Sequence, residues 1–313
     1  MPWTATDLLA DVRRRAMLPS ATTLGTTDAD LLLHADNEMA SRLVPLVMSV
    51  NEEFYVQTID VATSSQSAYR IPNRSAGGKL RDVVFLSGNA QIPLARIEPE
   101  RLHEWTVNAT GQPAGFYLEA GAVNLVPKPS GGGILRMRYF VRPGRLTATA
   151  GQYGTITAVA YSGNTVNVTC PGFAVTAGAL YDIIAARPPF EYLLTDGVSS
   201  GTGTGSAILT VSSPTTPAPG LSPNIQVGDI IAQRDVSPLM QLPVEMHSLL
   251  AQRVVCAVME AMGYGERLEM AEAAYARLEA AALKMISPRV DGAPRKMRGV
   301  MGFGRNLGIG WFK

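Results

Sequence analysis

"ERLEMAEAAYARLEAAALKMI", residues 266–286, has the clearest apolar period in the chain. Leu268, Ala271, Tyr275, Leu278, Ala282 and Met285 follow one another at alternating spacings of three and four, nearly three heptads. That period belongs to a helix with a single apolar seam, and the alanines in it let a partner helix come close. Pro288 stops the helix. Just upstream, Leu250, Val254, Ala257, Val258 and Ala261 repeat at helical spacing behind Pro243, which suits a first helical turn. Gly263 and Gly265 make the turn between the two, so residues 236–286 are predicted to fold back as an antiparallel helical hairpin.

Two further helices are predicted at the other end of the chain. Thr6 caps a run over 7–17, with Asp7 at its start and Arg13, Arg14 and Arg15 at its end, in keeping with the helix dipole. Pro19 closes it. The second begins after Thr26 and Thr27, carries Leu32, Ala35, Met39 and Leu43 on one stripe, and is predicted to kink or stop near Leu43 because Pro45 follows. Two N-terminal helices packed on two C-terminal ones make a four-helix layer.

Between them the pattern changes to period two. "EFYVQTIDVAT", "SAYRIP" and "LRDVVFL" read as strands, and "EPERLHEW" as a helical turn. "GFYLEAGAVNLVPKP" and "ILRMRYFVRPG" are predicted to form a hairpin around residues 127–133. In the latter, Leu135, Met137, Tyr139 and Val141 alternate with Arg136, Arg138, Phe140 and Arg142, one buried face against one basic face. Residues 147–235 differ in composition. Gly, Thr, Ser, Ala and Val dominate, and no charge appears before Asp182. Short strands there, with a turn at Ser162, Gly163 and Asn164, indicate an inserted antiparallel barrel or sandwich. The expected fold class is therefore α+β: a core of residues 1–146 completed by 236–286, a β insertion over 147–235, and an extended arm over 287–313.

Composition bounds the function. The chain has 313 residues, 46% apolar and 17% charged, an ordinary folded protein with a net charge of +1. Two cysteines, Cys170 and Cys256, read as buried free thiols. No apolar run of roughly eighteen residues is present, so no membrane span is predicted, and the amphipathic start predicts a chain made in a cytoplasm. His34, His103 and His247 have no neighbour at metal-ligand spacing. "GGKL" at 77–80 lacks the flanking residues of a phosphate loop, and "GTGTGS" at 201–206 reads as a mobile hairpin tip. No nucleophile–base set, metal cluster or phosphate cradle is found, so neither catalysis nor a cofactor is expected.

The end of the chain carries the positive signal. Residues 287–313 hold six basic side chains and one acid, +5, leaving −4 for the rest. Arg295, Lys296, Arg298 and Arg305 alternate with Val300, Met301, Phe303, Leu307, Ile309, Trp311 and Phe312, with glycine every few residues. A purely solvating tail is poor in such apolar residues. Fully extended it reaches roughly 90 Å, at about 3.3 Å per residue. It reads as an arm that orders against another protein; contact with single-stranded nucleic acid through its Arg, Gly and Phe residues is the other reading.

"LLLHADNEMASRL" at 31–43, "YRIP" at 69–72, "LRDVVFL" at 80–86, "GFYLEAGAVNLVPKP" at 115–129, "LRMRYFVRPGRL" at 135–146 and "LPVEMHSLLAQRVVCAVMEAMG" at 242–263 together resemble the head-to-tail adaptors (connectors, or tubular tail proteins) of short-tailed bacteriophages. The resemblance implies a structural virion protein of the neck: a ring, usually of twelve subunits, beneath the portal protein. The C-terminal arm would dock on portal subunits, the β-region would face the tail nozzle or tail tube, and DNA would pass through the channel. Two other readings stay open on the residues alone. One is a tail-tip or receptor-binding module using the β insertion. The other is a DNA-binding protein using Arg136, Arg138, Arg142 and the arm.

Overall fold

The computed structural model describes residues 3–18, 27–88, 90–105, 109–162, 165–210 and 225–287. Both N-terminal helices begin with a reciprocal capping box. In α1 (Ala5–Ala16) the cap is Thr4, not Thr6: its hydroxyl accepts from the Asp7 N–H, and the Asp7 carboxylate accepts from Thr4. In α2 (Asp28–Glu38) Thr27 and Asp30 do the same. Pro45 does not end this second helix. The chain widens into one π-helical turn, Met39–Leu43, in which the Val44 N–H reaches back to the Met39 carbonyl, and then continues as α3 (Val44–Val50). The wider turn accommodates the carbonyl that the proline ring would otherwise strike.

The β-region runs through β1 (Val56–Ala62), β2 (Ala68–Arg70), β3 (Ser75–Ser87), β4 (Ala90–Pro93), β5 (Ala95–Arg96), a 3-10 turn at Pro99–Glu104, β6 (Thr110–Gly111), β7 (Gly115–Glu119), β8 (Ala122–Val126), β9 (Lys128–Pro129), β10 (Ile134–Val141) and β11 (Arg145–Leu146). Two four-stranded sheets result, ordered β1-β10-β3-β4 and β2-β8-β7-β5. The hairpin expected around residues 127–133 is not formed. Instead β8 turns back on β7 across Ala120 and Gly121, both at positive φ, while β10 takes the centre of the other sheet between β1 and β3. Each strand carries an apolar face, and sequence alone gives two such strands no preference for each other over partners elsewhere in the chain. The pairings are antiparallel except at three short contacts, β5 with β7, β6 with β9, and β11 with β19 (Val236–Ser237). A core of Tyr69, Phe85, Phe116, Val123, Leu125, Leu135 and Met137 lies between the two sheets.

Residues 153–233 supply one seven-stranded antiparallel sheet: β12 (Tyr153–Thr155), β13 (Ala158–Ser162), β14 (Thr165–Val175), β15 (Leu180–Ile184), β16 (Tyr192–Ser199), β17 (Gly203–Thr210) and β18 (Ile230–Gln233), ordered β12-β18-β15-β16-β17-β14-β13. The chain breaks at Ile156 and Thr157 between β12 and β13, and these two strands go to opposite edges. The sheet curls into a half-barrel, so that β12 lies against β14. A Cβ on Gly154 would sit 2.7 Å from the Cβ of Phe173. Of residues 201–206, expected as a hairpin tip, Gly201 and Thr202 lie in the link between β16 and β17, and 203–206 belong to β17 itself.

α4 (His247–Ala261) follows a 3-10 turn at Val244–Met246 and packs against α1, α2 and α5 (Gly265–Ile286). One apolar stripe was expected on α4. Being surrounded, it is buried on nearly every side, Leu249, Ala251, Val255, Cys256 and Met259 included. The main core joins these helices to Tyr139 and Val141 of β10 and to Ile184, Phe190, Tyr192, Ile230 and Ala232 from the curled sheet. That sheet therefore shares a core with the helices while keeping a second core inside its own curl.

Candidate functional site

On α5, Ala271, Tyr275 and Ala282 are buried and Leu268 and Leu278 half-buried against the same core. Met285 is not part of this face: it is 69% exposed, and Ile286 is buried instead. An α-helix turns 3.6 residues per turn against the heptad's 3.5, so the buried line drifts about 20° per heptad and by its third repeat has moved one position on. The Tyr275 ring is flanked by two guanidinium groups, Arg42 at 5.0 Å and Arg253 at 5.8 Å from its centre, and Arg253 is itself held by Glu38 at 2.8 Å. The arm residues Arg295, Lys296, Arg298, Val300, Met301, Phe303, Arg305, Leu307, Ile309, Trp311 and Phe312 lie outside the described residues.

The basic face of β10 is neutralised by its neighbours. Asp60 stands opposite Arg136 in the ladder and accepts two hydrogen bonds from it at 2.8 and 2.7 Å; Asp82 stands opposite Arg138, 3.1 Å away. Arg142 lies 3.9 Å from Asp235, and Phe140 is buried beneath the Lys79 ammonium at 4.3 Å. Gly77, Gly78 and Lys79 fall within β3, not in the strand-to-helix turn of a phosphate loop.

The histidines do not converge. His247 is buried with Nε2 3.1 Å from the Leu242 carbonyl, its ring between Trp3 and Phe190, and burial pushes its pKa down. Cys170 and Cys256 are free and buried, and burial raises both thiols. Among the described residues no group of three His, Cys, Asp or Glu is placed to hold a metal, and no helix is long and apolar enough to cross a membrane. A cleft between Tyr55, Val141, Phe190 and Gln241 has a volume of about 90 Å3. Substrate pockets run to about 300–1,000 Å3, so this cleft is small beside them.

One polar cluster escaped the sequence reading, at the junction between the curled sheet and the rest. Arg74, 2% exposed, pairs with Asp182, which is fully buried. The Asp182 carboxylate also accepts from the N–H groups of Asp196 (2.9 Å) and Asp235 (3.2 Å), and the Arg74 guanidinium lies over the Tyr192 ring at 4.6 Å. Burial pushes the Asp182 carboxyl upward, while Arg74 and the two N–H groups oppose the shift. Beside them Gln241 is a hub. Its Oε1 accepts from the Gly144 N–H and the Tyr192 hydroxyl, each at 2.8 Å, its Nε2 donates to the Phe190 carbonyl at 3.1 Å, and its own carbonyl accepts from Tyr55 at 3.0 Å. The available signal was Asp182 itself, the first charge after a long uncharged stretch and set in an apolar strand: a lone charge there must find a buried partner.

The arrangement is one of packed and locked surfaces, without a reacting centre among the described residues. Among curated proteins, none matches the chain. The family described as SU10 adaptor protein matches residues 3–164, just over half of the 313, and takes in both N-terminal helices, the whole β-region and the first strands of the curled sheet. By that match, and with an α+β architecture in keeping with it, the chain belongs to the SU10 adaptor protein family of phage head–tail adaptors.

Proposed function

We propose that this protein is a structural piece of the virion neck: a ring of identical copies, twelve in number, between the portal at the capsid vertex and the tail nozzle or tube, with DNA passing through its centre without sequence-specific contact. The four-helix layer α1, α2, α4 and α5 packs side by side around the ring. Residues 147–235 form an insertion in the adaptor body, and residues 287–313 anchor on the portal. The family match carries this reading. The composition of the last 27 residues supports the anchoring role, because apolar side chains without a core of their own need another protein to cover them. Exposed Leu33 on α2 and exposed Met270 and Met285 on α5 are in keeping with contacts between copies.

Deleting residues 299–313 removes nothing from the described fold, which ends at residue 287. The shortened protein should stay folded and lose binding to isolated portal rings. Unchanged affinity would refute the anchoring role. Native mass measurement of the protein alone and mixed with portal rings reads the ring number directly. The DNA-binding reading loses support from the geometry, since Arg136 and Arg138 are already paired with Asp60 and Asp82.

A further inference from the structure

We infer that the buried Arg74–Asp182 pair is an orientation lock, holding the curled seven-stranded sheet at one fixed angle to the helices and β-region so that the two move as a single body. The inference is independent of which partners the protein joins.

The lock is built from three separate parts of the chain. Arg74 comes from the turn before β3, and its carbonyl accepts from the Arg142 N–H at 2.7 Å, which ties it to the end of β10. Asp182 is in β15, in the middle of the curled sheet. Asp235, 3.4 Å from the Arg74 guanidinium, sits where the chain leaves that sheet for α4. Pulling the sheet away would therefore separate a guanidinium from a carboxylate that is nowhere exposed to water.

Stability alone is a poor reason to keep such a pair. Desolvating two charges offsets most of their attraction, and well-packed neutral side chains often serve as well. Nor is the pair needed as glue, because Ile184, Phe190, Tyr192, Ile230 and Ala232 already attach the sheet through the shared apolar core. Apolar contacts are non-directional and tolerate sliding. An ion pair with further backbone hydrogen bonds at one end and an aromatic face against the other tolerates very little, and so selects one arrangement among several of similar burial.

The test separates orientation from stability. Spin labels on Thr176→Cys, exposed on the curled sheet, and Ala273→Cys, exposed on α5, report the distance between the two parts. Cys170 and Cys256 are buried, and a control without introduced cysteines measures any labelling there. The wild-type background should show one narrow distance distribution. Arg74→Met with Asp182→Asn removes both charges and leaves neither uncompensated; it should unfold cooperatively like the parent yet lose that single narrow distribution. Arg74→Met alone strands the carboxylate and should lower thermal stability well below the double variant. A double variant with the parent's narrow distribution would overturn the inference, because the apolar contacts and the Gln241 hydrogen bonds would then suffice to set the angle. A double variant that cannot fold would overturn it too, because the pair would then serve stability.

Discussion

Replacing Gln241 with leucine tests whether the junction is held by the hydrogen bonds seen there. Leucine fills nearly the same volume, so no cavity complicates the result. Three buried groups lose their partner: the Gly144 N–H, the Tyr192 hydroxyl and the Phe190 carbonyl. Leaving one such group unsatisfied costs about 1–3 kcal/mol, so three together cost at least about 3 kcal/mol. At about 2 °C per kcal/mol for a large domain, Tm should fall by about 6 °C. Adding Tyr192→Phe removes one of the stranded groups and should restore about 1–2 kcal/mol, whereas Tyr192→Phe in the parent should be mildly destabilising, by about 1 kcal/mol. Thermal and urea unfolding of the four proteins completes the cycle. A Gln241→Leu variant within about 1 kcal/mol of the parent, or a double variant less stable than the single, would refute the reasoning.

Three further outcomes follow from particular residues. Asp36 accepts from the Leu146 N–H at 2.8 Å, and burial raises its pKa to about 6 despite that bond and the nearby Arg145. Because the folded value exceeds the ordinary carboxylate value, the stability this group contributes is complete below about pH 4 and is lost as pH rises through 6. Asp36→Asn should therefore be more stable than the parent at pH 7, with the difference in Tm shrinking to little at pH 4; a pH-independent difference would contradict this. Gly154→Ala places a methyl group 2.7 Å from the Phe173 side chain where β12 meets β14, and should cost about 1–3 kcal/mol by overpacking, read by urea titration. Thr27→Ala removes the cap of α2 and should cost about 1 kcal/mol, with faster amide exchange confined to the first turn of that helix.

The local elements were legible from the order of residues. Helical spacing placed α2, α4 and α5, and alternation placed most strands, because the period of apolar residues depends only on which way successive side chains point. Thr26 and Thr27 were legible as a start signal for α2, whereas the cap of α1 is Thr4, three residues before Asp7, and not the adjacent Thr6. The resemblance to phage adaptors rested on strings of this local kind.

The remaining features depend on contacts between distant parts of the chain. Which strand neighbours which is a matter of contacts far apart in the chain, and so β10 was given to β8 when it belongs between β1 and β3. The heptad on α5 could not say that a straight helix would retire Met285 and bury Ile286. Arg136 and Arg138 read as a basic face because Asp60 and Asp82 are 76 and 56 residues away in sequence. The lock at Arg74 and Asp182 spans 108 residues. A buried charge tells a reader of the sequence that a partner exists; only the folded chain, by bringing one near enough to outweigh the loss of water, says which residue it is.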